Sequence, residues 1–175
     1  MDDRRILLLR GVNVGGVKLP MAEFRTMLTD LGLGGVQTYI QSGNAVFRAA
    51  GDPRAAIAAG LQDRFGLTSA LYLYDLAGYR AILDANPYAA AGRADGAKVH
   101  LFFLPAPCLV DLSPALALAQ GGEALHVTDD ALYFNAPQGM GQNQMAERLA
   151  RLLKTNFTAR NQRSAEAILA VAESL

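Results

Sequence analysis

The side chains best suited to gripping a ligand gather in glycine-bearing segments. RGVNVGG, residues 10–16, holds Arg10, Asn13, Gly15 and Gly16, with Lys18 just beyond. Main-chain N–H groups in such a loop, helped by Arg10 and Lys18, can hold a carboxylate or phosphate. The loop lacks the GK[ST] of a Walker loop and is not G-x-G-x-x-G. A second segment brings Gln41, Ser42, Gly43 and Asn44. A third, Thr158-Ala159-Arg160-Asn161, precedes the last helix, and Gly139-Met140-Gly141 precedes another. Helix N-termini present N–H groups to solvent or to an anion. The selected side chains are donors and amides without a His, Cys or carboxylate pair, so they suit recognition and oxyanion stabilisation better than proton transfer. Ser42 has no visible base, which argues against a hydrolase triad. Each segment also has a plain structural use: glycines at positive φ, Asn13 bonding its own backbone, a hairpin turn, Asn161 capping a helix.

Periodicity supplies the elements that must position these residues. ILLLRG (6–11) is a continuous apolar run that predicts a central strand buried on both faces. A helix follows with Met21, Phe24, Leu28 and Leu31 on one side, ended by Gly32. VQTYIQ (36–41) and NAVFRA (44–49) predict strands joined by a tight Ser42-Gly43 hairpin. Asp52-Pro53 opens a helix with Ile57, Leu61 and Phe65, stopped by Gly66, and SALYLYD (69–75) predicts another strand. The order is β-α-β-β-α-β, the split βαβ pattern of ferredoxin-like domains.

A helix around Leu76–Leu83 and a Gly/Ala-rich stretch lead into the same order again. KVHLFFLP is a strand, SPALALAQGG a short helix, EALHVT and ALYFNA a hairpin across Asp129-Asp130, and QNQMAERLARLL a helix. NFT predicts a short strand, and a helix with Ala165, Ile168, Leu169 and Ala172 ends the chain. The expected fold class is α+β, two duplicated ferredoxin-like units with antiparallel sheets, spanning 1–87 and 98–175 with a linker at 88–97, packed as one compact unit.

In this topology the first two strands run parallel with the third between them, so both end on one edge. That edge receives the RGVNVGG loop and the Gln41–Asn44 hairpin. The matching edge of the second half carries Pro105-Ala106-Pro107 and Asp129-Asp130, which offer few donors. Packing the halves in reversed orientation would set Arg10, Asn13, Ser42 and Asn44 against Arg160 and Asn161 across one cationic cleft, fit for a small anionic ligand.

Composition narrows the alternatives. With 175 residues, 51% hydrophobic and 18% charged, the chain has material for a core and too little charge for disorder. Lys and Arg (16) balance Asp and Glu (16), which removes the global attraction behind non-specific nucleic-acid or anionic-membrane binding. Cys108 is the single cysteine, and His100 and His126 are the only histidines, read as satisfied sheet residues. No zinc spacing exists, and no metal or cofactor is expected. No run approaches ~18 apolar residues, and MDDRRILLLRG is too charged and short for a signal peptide, so the expected address is cytoplasmic.

LLRGVNVGG with MAEFR after it, TYIQSGNAVF, GMG before a helix and TARN together resemble the domain-of-unknown-function 1697 family. The resemblance implies a bacterial cytoplasmic protein with a duplicated ferredoxin-like fold, and it brings no reaction, substrate or catalytic residue. Two motifs depart from the family pattern. T-x-R-N-W-x-T is replaced by Gln162 and Ser164 at its aromatic and final threonine, and a Ser-Lys pair after G-x-G is replaced by Asn143 and Gln144. If that lysine holds an anion in relatives, this chain binds it differently or more weakly. The expected function is binding, with or without turnover, of a small anionic ligand. The alternative is a structural or homodimeric interaction protein. Single-stranded nucleic acid ranks lower, because the central strands of the first half offer only Phe47 for stacking.

Overall fold

The computed structural model describes residues 3–154 and 157–175. The N-terminal apolar run forms β1 (Arg4–Leu9), followed by α1 (Met21–Asp30), β2 (Gly34–Tyr39), β3 (Asn44–Arg48), α2 (Arg54–Phe65), β4 (Leu71–Asp75) and α3 (Leu76–Asp84). β3 pairs antiparallel with both β1 and β2, and β4 pairs antiparallel with β1 on its other side, giving the order β2-β3-β1-β4. Parallel β1 and β2 therefore finish at one edge, as the topology predicts. α1 turns its periodic Met21, Phe24 and Leu28 onto the sheet, and α2 adds Ile57 and Leu61. They meet Leu7 and Leu9 of β1 and Ala45 and Phe47 of β3 in a single buried cluster. Burial of such side chains stabilises each by roughly 1.5–3 kcal/mol before entropy is counted.

The second half repeats the connectivity. α4 (Ala89–Ala94) precedes β5 (Val99–Phe103), α5 (Ser113–Leu116), β6 (Ala124–Val127), β7 (Ala131–Asn135), α6 (Gln144–Leu153), β8 (Thr158–Asn161) and α7 (Gln162–Glu173). Its sheet has the order β6-β7-β5-β8, again antiparallel throughout. Phe102, Leu132, Phe134, Met145, Leu149 and Leu153 form its core. Two antiparallel four-stranded sheets of equal strand order, each with helices, constitute the expected α+β duplication.

Three local readings change. The hairpin between β2 and β3 is a four-residue connection, 40–43, because Tyr39 faces Asn44 in the register and Ile40 turns the chain at φ 48°. TARN is itself β8 rather than the turn after a strand, since its alternating buried Thr158 and Arg160 suit an edge beside β5. Of the NFT strand, Asn156 lies outside the described residues. The Gly/Ala-rich stretch after Pro87 also carries a helix, α4, in which Gly92 is buried.

By density of contacts the chain divides into two compact units, one running to Arg80 and including Ala167–Leu175, the other Ala81–Glu166. Within the first, Arg80 pairs with Glu173 at 2.6 Å. Within the second, the Tyr133 hydroxyl donates to the Ile82 carbonyl at 2.7 Å, and Arg93 pairs with Glu166 at 2.6 Å.

Candidate functional site

The edge where β1 and β2 end is built around Asn13. Arg10 leaves β1 with its N–H bonded to Ala70 O (3.2 Å) and Ser69 Oγ (3.1 Å), while Ser69 Oγ donates back to Arg10 O at 2.8 Å. Asn13 then takes φ 56°, a left-handed conformation that Asn tolerates better than most residues. Its Nδ2 donates to Leu19 O (3.0 Å) and to Gln41 O (2.8 Å), and its Oδ1 accepts from Leu19 N–H at 2.7 Å. One side chain thus closes the 13–19 loop and ties it to the hairpin.

Between those anchors, Val17 N–H bonds Val14 O at 3.1 Å, with Gly15 and Gly16 at φ 58° and 89°. Positive φ at both central positions belongs to a type I′ turn, where glycine fits without strain. Gly15, Gly16 and Lys18 are all exposed. In the hairpin, Gln41 is exposed, Ser42 half-buried and Asn44 fully buried, its Nδ2 donating to Tyr39 O at 3.1 Å. Gly43 O accepts from Leu9 N–H at 2.9 Å. Burial pushes the Tyr72 hydroxyl pKa up, and the charge of Arg10 acts in the opposite direction.

Arg10, Asn13, Gly15, Gly16, Lys18, Gln41, Ser42 and Asn44 thus share one loop edge of the first unit. Asn13 and Asn44 spend their amides on backbone carbonyls. Arg160 and Asn161 stand in β8, in the second unit. Arg160 is 8% exposed, and its Nη1 donates to Thr158 Oγ1 (2.9 Å) and Ala159 O (2.7 Å). Asn161 Oδ1 accepts from Ser164 N–H at 2.8 Å, capping α7.

Sequence reasoning missed three features. His100 is not satisfied: among the described residues its buried Nδ1 has no hydrogen-bond partner, and burial lowers its pKa. His126 lies against the Tyr133 ring at 5.9 Å. Gln162 is fully buried, accepting from Asn86 Nδ2 at 2.7 Å and donating to Glu166 Oε1 at 2.8 Å. The third feature is a cavity of about 540 Å³ beside the Pro-rich loop 104–110, with half-buried Cys108 in its wall. The signal for it lies in LPAPCLV, an apolar segment punctuated by two prolines that offers few donors. Among the described residues no group of three His, Cys, Asp or Glu is placed to hold a metal, and no helix is long and apolar enough to cross a membrane.

Fold and loop edge define the chain as a pair of split βαβ units with a polar, glycine-turned edge on the first. The family model described as "Protein of unknown function (DUF1697)" matches residues 3–133, well over half of the sequence, and the chain belongs to that family. Among solved structures it is similar to a conserved bacterial protein from Streptococcus pneumoniae, at 24% identity and a TM-score of 0.72, over 98% of each chain. That likeness is one of fold. No curated protein matches.

Proposed function

We propose that this protein binds a small anionic ligand at the loop edge of its first unit. The observation that carries the reading is the triple hydrogen bonding of Asn13, which holds the loop between Leu19 and Gln41 and leaves the Gly15–Gly16 turn and Lys18 at the surface. A preset loop loses little freedom on binding, so weak individual contacts from main-chain N–H groups and a lysine add up. Arg10, at the root of the loop, adds positive charge. The reading asks nothing of Arg160 and Asn161, whose side chains engage Thr158, Ala159 and Ser164. Nor does it favour nucleic acid, since Phe47, Phe102, Phe103, Tyr133 and Phe134, the aromatics of the central strands, are all at most 2% exposed and present no stacking platform.

Titration with inorganic phosphate and with small carboxylates, followed by amide chemical shifts, tests this. Saturable shifts centred on Gly15, Gly16 and Lys18, weakened in Lys18→Ala, are expected. Uniform, non-saturating shifts at millimolar anion would remove the reading.

A second reading has its own observation. Val14, Val17 and Ile40 are 61%, 39% and 48% exposed on the same edge, so apolar surface stands beside the donors and suits a second copy of the chain. Sedimentation of the wild type against Val14→Ser/Ile40→Ser separates the two: a dimer lost in the variant favours the interaction protein.

A further inference from the structure

The second unit holds a cavity with a different chemistry. Its walls are the loop leaving β5, with Leu104, Pro107 and Cys108, the last turn of α6, with Arg151 and Leu152, and Lys154 just beyond it. Its volume, about 540 Å³, falls in the range of small-molecule sites, roughly 300–1,000 Å³. Leu109 and Val110, also in its lining, are 94% and 41% exposed, so apolar surface meets water there rather than packing into the core. Deeper in, Cys108 and Leu152 pack against the second core. Among the described residues, the charged ones in the lining are both cations, Arg151 and Lys154. Glu147 reaches Arg151 only at 3.5 Å, with both side chains well exposed, a pairing of little strength.

We infer that this cavity takes a single free amphiphile with an anionic head and an apolar tail, a medium-chain carboxylate, with the tail along Leu104, Pro107 and Leu152 and the head at Arg151 and Lys154. Each buried methylene of the tail strengthens binding by about fourfold, which matches an apolar wall to an apolar chain. The cations supply what an alkane would leave unused, and an unpaired carboxylate would not enter an acidic or neutral groove of this kind. The site is independent of the Gly15–Gly16 edge and stands whether or not that edge binds anything.

Cys108 provides the measurement, because it is the only thiol in the chain. Its alkylation by iodoacetamide is followed by mass spectrometry with decanoate present below micelle-forming concentrations. Saturable slowing of alkylation is expected, with octanoate needing about fifteenfold more for the same protection. Arg151→Ala/Lys154→Ala, at two exposed positions, should weaken decanoate about fivefold and leave decanol unchanged. Lys18→Ala should leave protection intact. Calorimetry on Cys108→Ser, which keeps the cavity but lacks the thiol, should return the same decanoate affinity. An unchanged alkylation rate at saturating decanoate overturns the inference. So does equal protection by decanol and decanoate, which would mean a groove that reads no head group, or protection by phosphatidylglycerol vesicles alone, which would mean a lipid surface. Faster alkylation would signal unfolding by the amphiphile and would also overturn it.

Discussion

A Cβ on Gly43 would stand 2.4 Å from Val12 Cγ2 and 2.8 Å from Leu9 Cβ. The hairpin between β2 and β3 therefore reaches the root of the 10–19 loop only because residue 43 has no side chain, and its φ of +70° adds a second demand for glycine. Gly43→Ala is expected to cost about 3 kcal/mol, the sum of overpacking and a left-handed alanine. Gly11→Ala is the control, since Gly11 has φ +69° with nothing within 4 Å of a Cβ, leaving only the backbone penalty of about 1 kcal/mol. Urea unfolding of the two variants checks the difference. Equal losses would show that the close approach contributes nothing.

Asn13→Ala removes two donated bonds and one accepted bond at once, and puts a β-carbon without polar compensation at positive φ. A loss of about 2 kcal/mol is expected, with faster hydrogen exchange of the amides from Val14 to Lys18. Asn13→Gly restores the backbone conformation but not the bonds, so it should recover part of the stability and none of the exchange protection. If alanine left exchange unchanged, the loop would be held by its own turn rather than by Asn13.

These two positions also mark what was legible in the sequence. The convergence of the loop at 10–16 with the hairpin at 41–44 followed from strand order, because a split βαβ unit must end its parallel strands on one edge. Apolar runs such as ILLL and the 21-24-28 spacing fixed β1 and α1, since burial enforces their periodicity. The exact turn did not follow. Ile40 is β-branched and sits at φ 48°, a conformation local preference disfavours, and the Asn13–Gln41 and Leu9–Gly43 bonds flank it. α4 was hidden for the opposite reason: AAAGRA is too small and uniform to show a face, and its Gly92 is required by Gln162, seventy residues away in sequence. His100 reads as a satisfied sheet histidine because a sequence does not show partners, whereas burial in β5 leaves its Nδ1 without one among the described residues.

Gln162 and Gly92 carry a prediction of their own. A Cβ at 92 would lie 2.4 Å from Gln162 Cβ, and the Gln162 amide bridges Asn86 and Glu166. Gln162→Leu leaves the 6%-exposed Asn86 amide without its acceptor and is expected to cost about 2 kcal/mol. Gln162→Trp, which places a far larger side chain beside Gly92, adds overpacking and should cost more. Thermal unfolding of both decides this. A tryptophan that stabilised the chain would mean that α4 is free to move away.

Three described carboxylates, Glu123, Asp52 and Asp111, are held below their ordinary pKa and contribute to the acid limb of stability. Glu123 accepts from Gly121 N–H at 2.6 Å, from Gln120 N–H at 3.0 Å and from Asn143 Nδ2 at 2.8 Å, which joins the loop before β6 to the residue capping α6. Those bonds, with Gly121 foremost, hold its pKa at about 2, below the ordinary 4.5. A carboxyl depressed in the folded state stabilises fully above its unfolded pKa, and that contribution fades as pH falls from 4.5 through about 2. Asp52, held at about 2 by its side-chain bond to Arg54, acts over nearly the same window from its ordinary 3.8. Glu123→Gln should therefore lower stability at neutral pH and flatten, without abolishing, the decline on acidification. Asp52→Asn combined with it should flatten the decline further, with the part due to Asp111, whose carboxyl is held down by its bonds from Ser113, left in place. Unfolding midpoints measured across pH 2 to 6 give the answer, and a Glu123→Gln profile parallel to the wild type would show that the Glu123 bonds do not survive in solution.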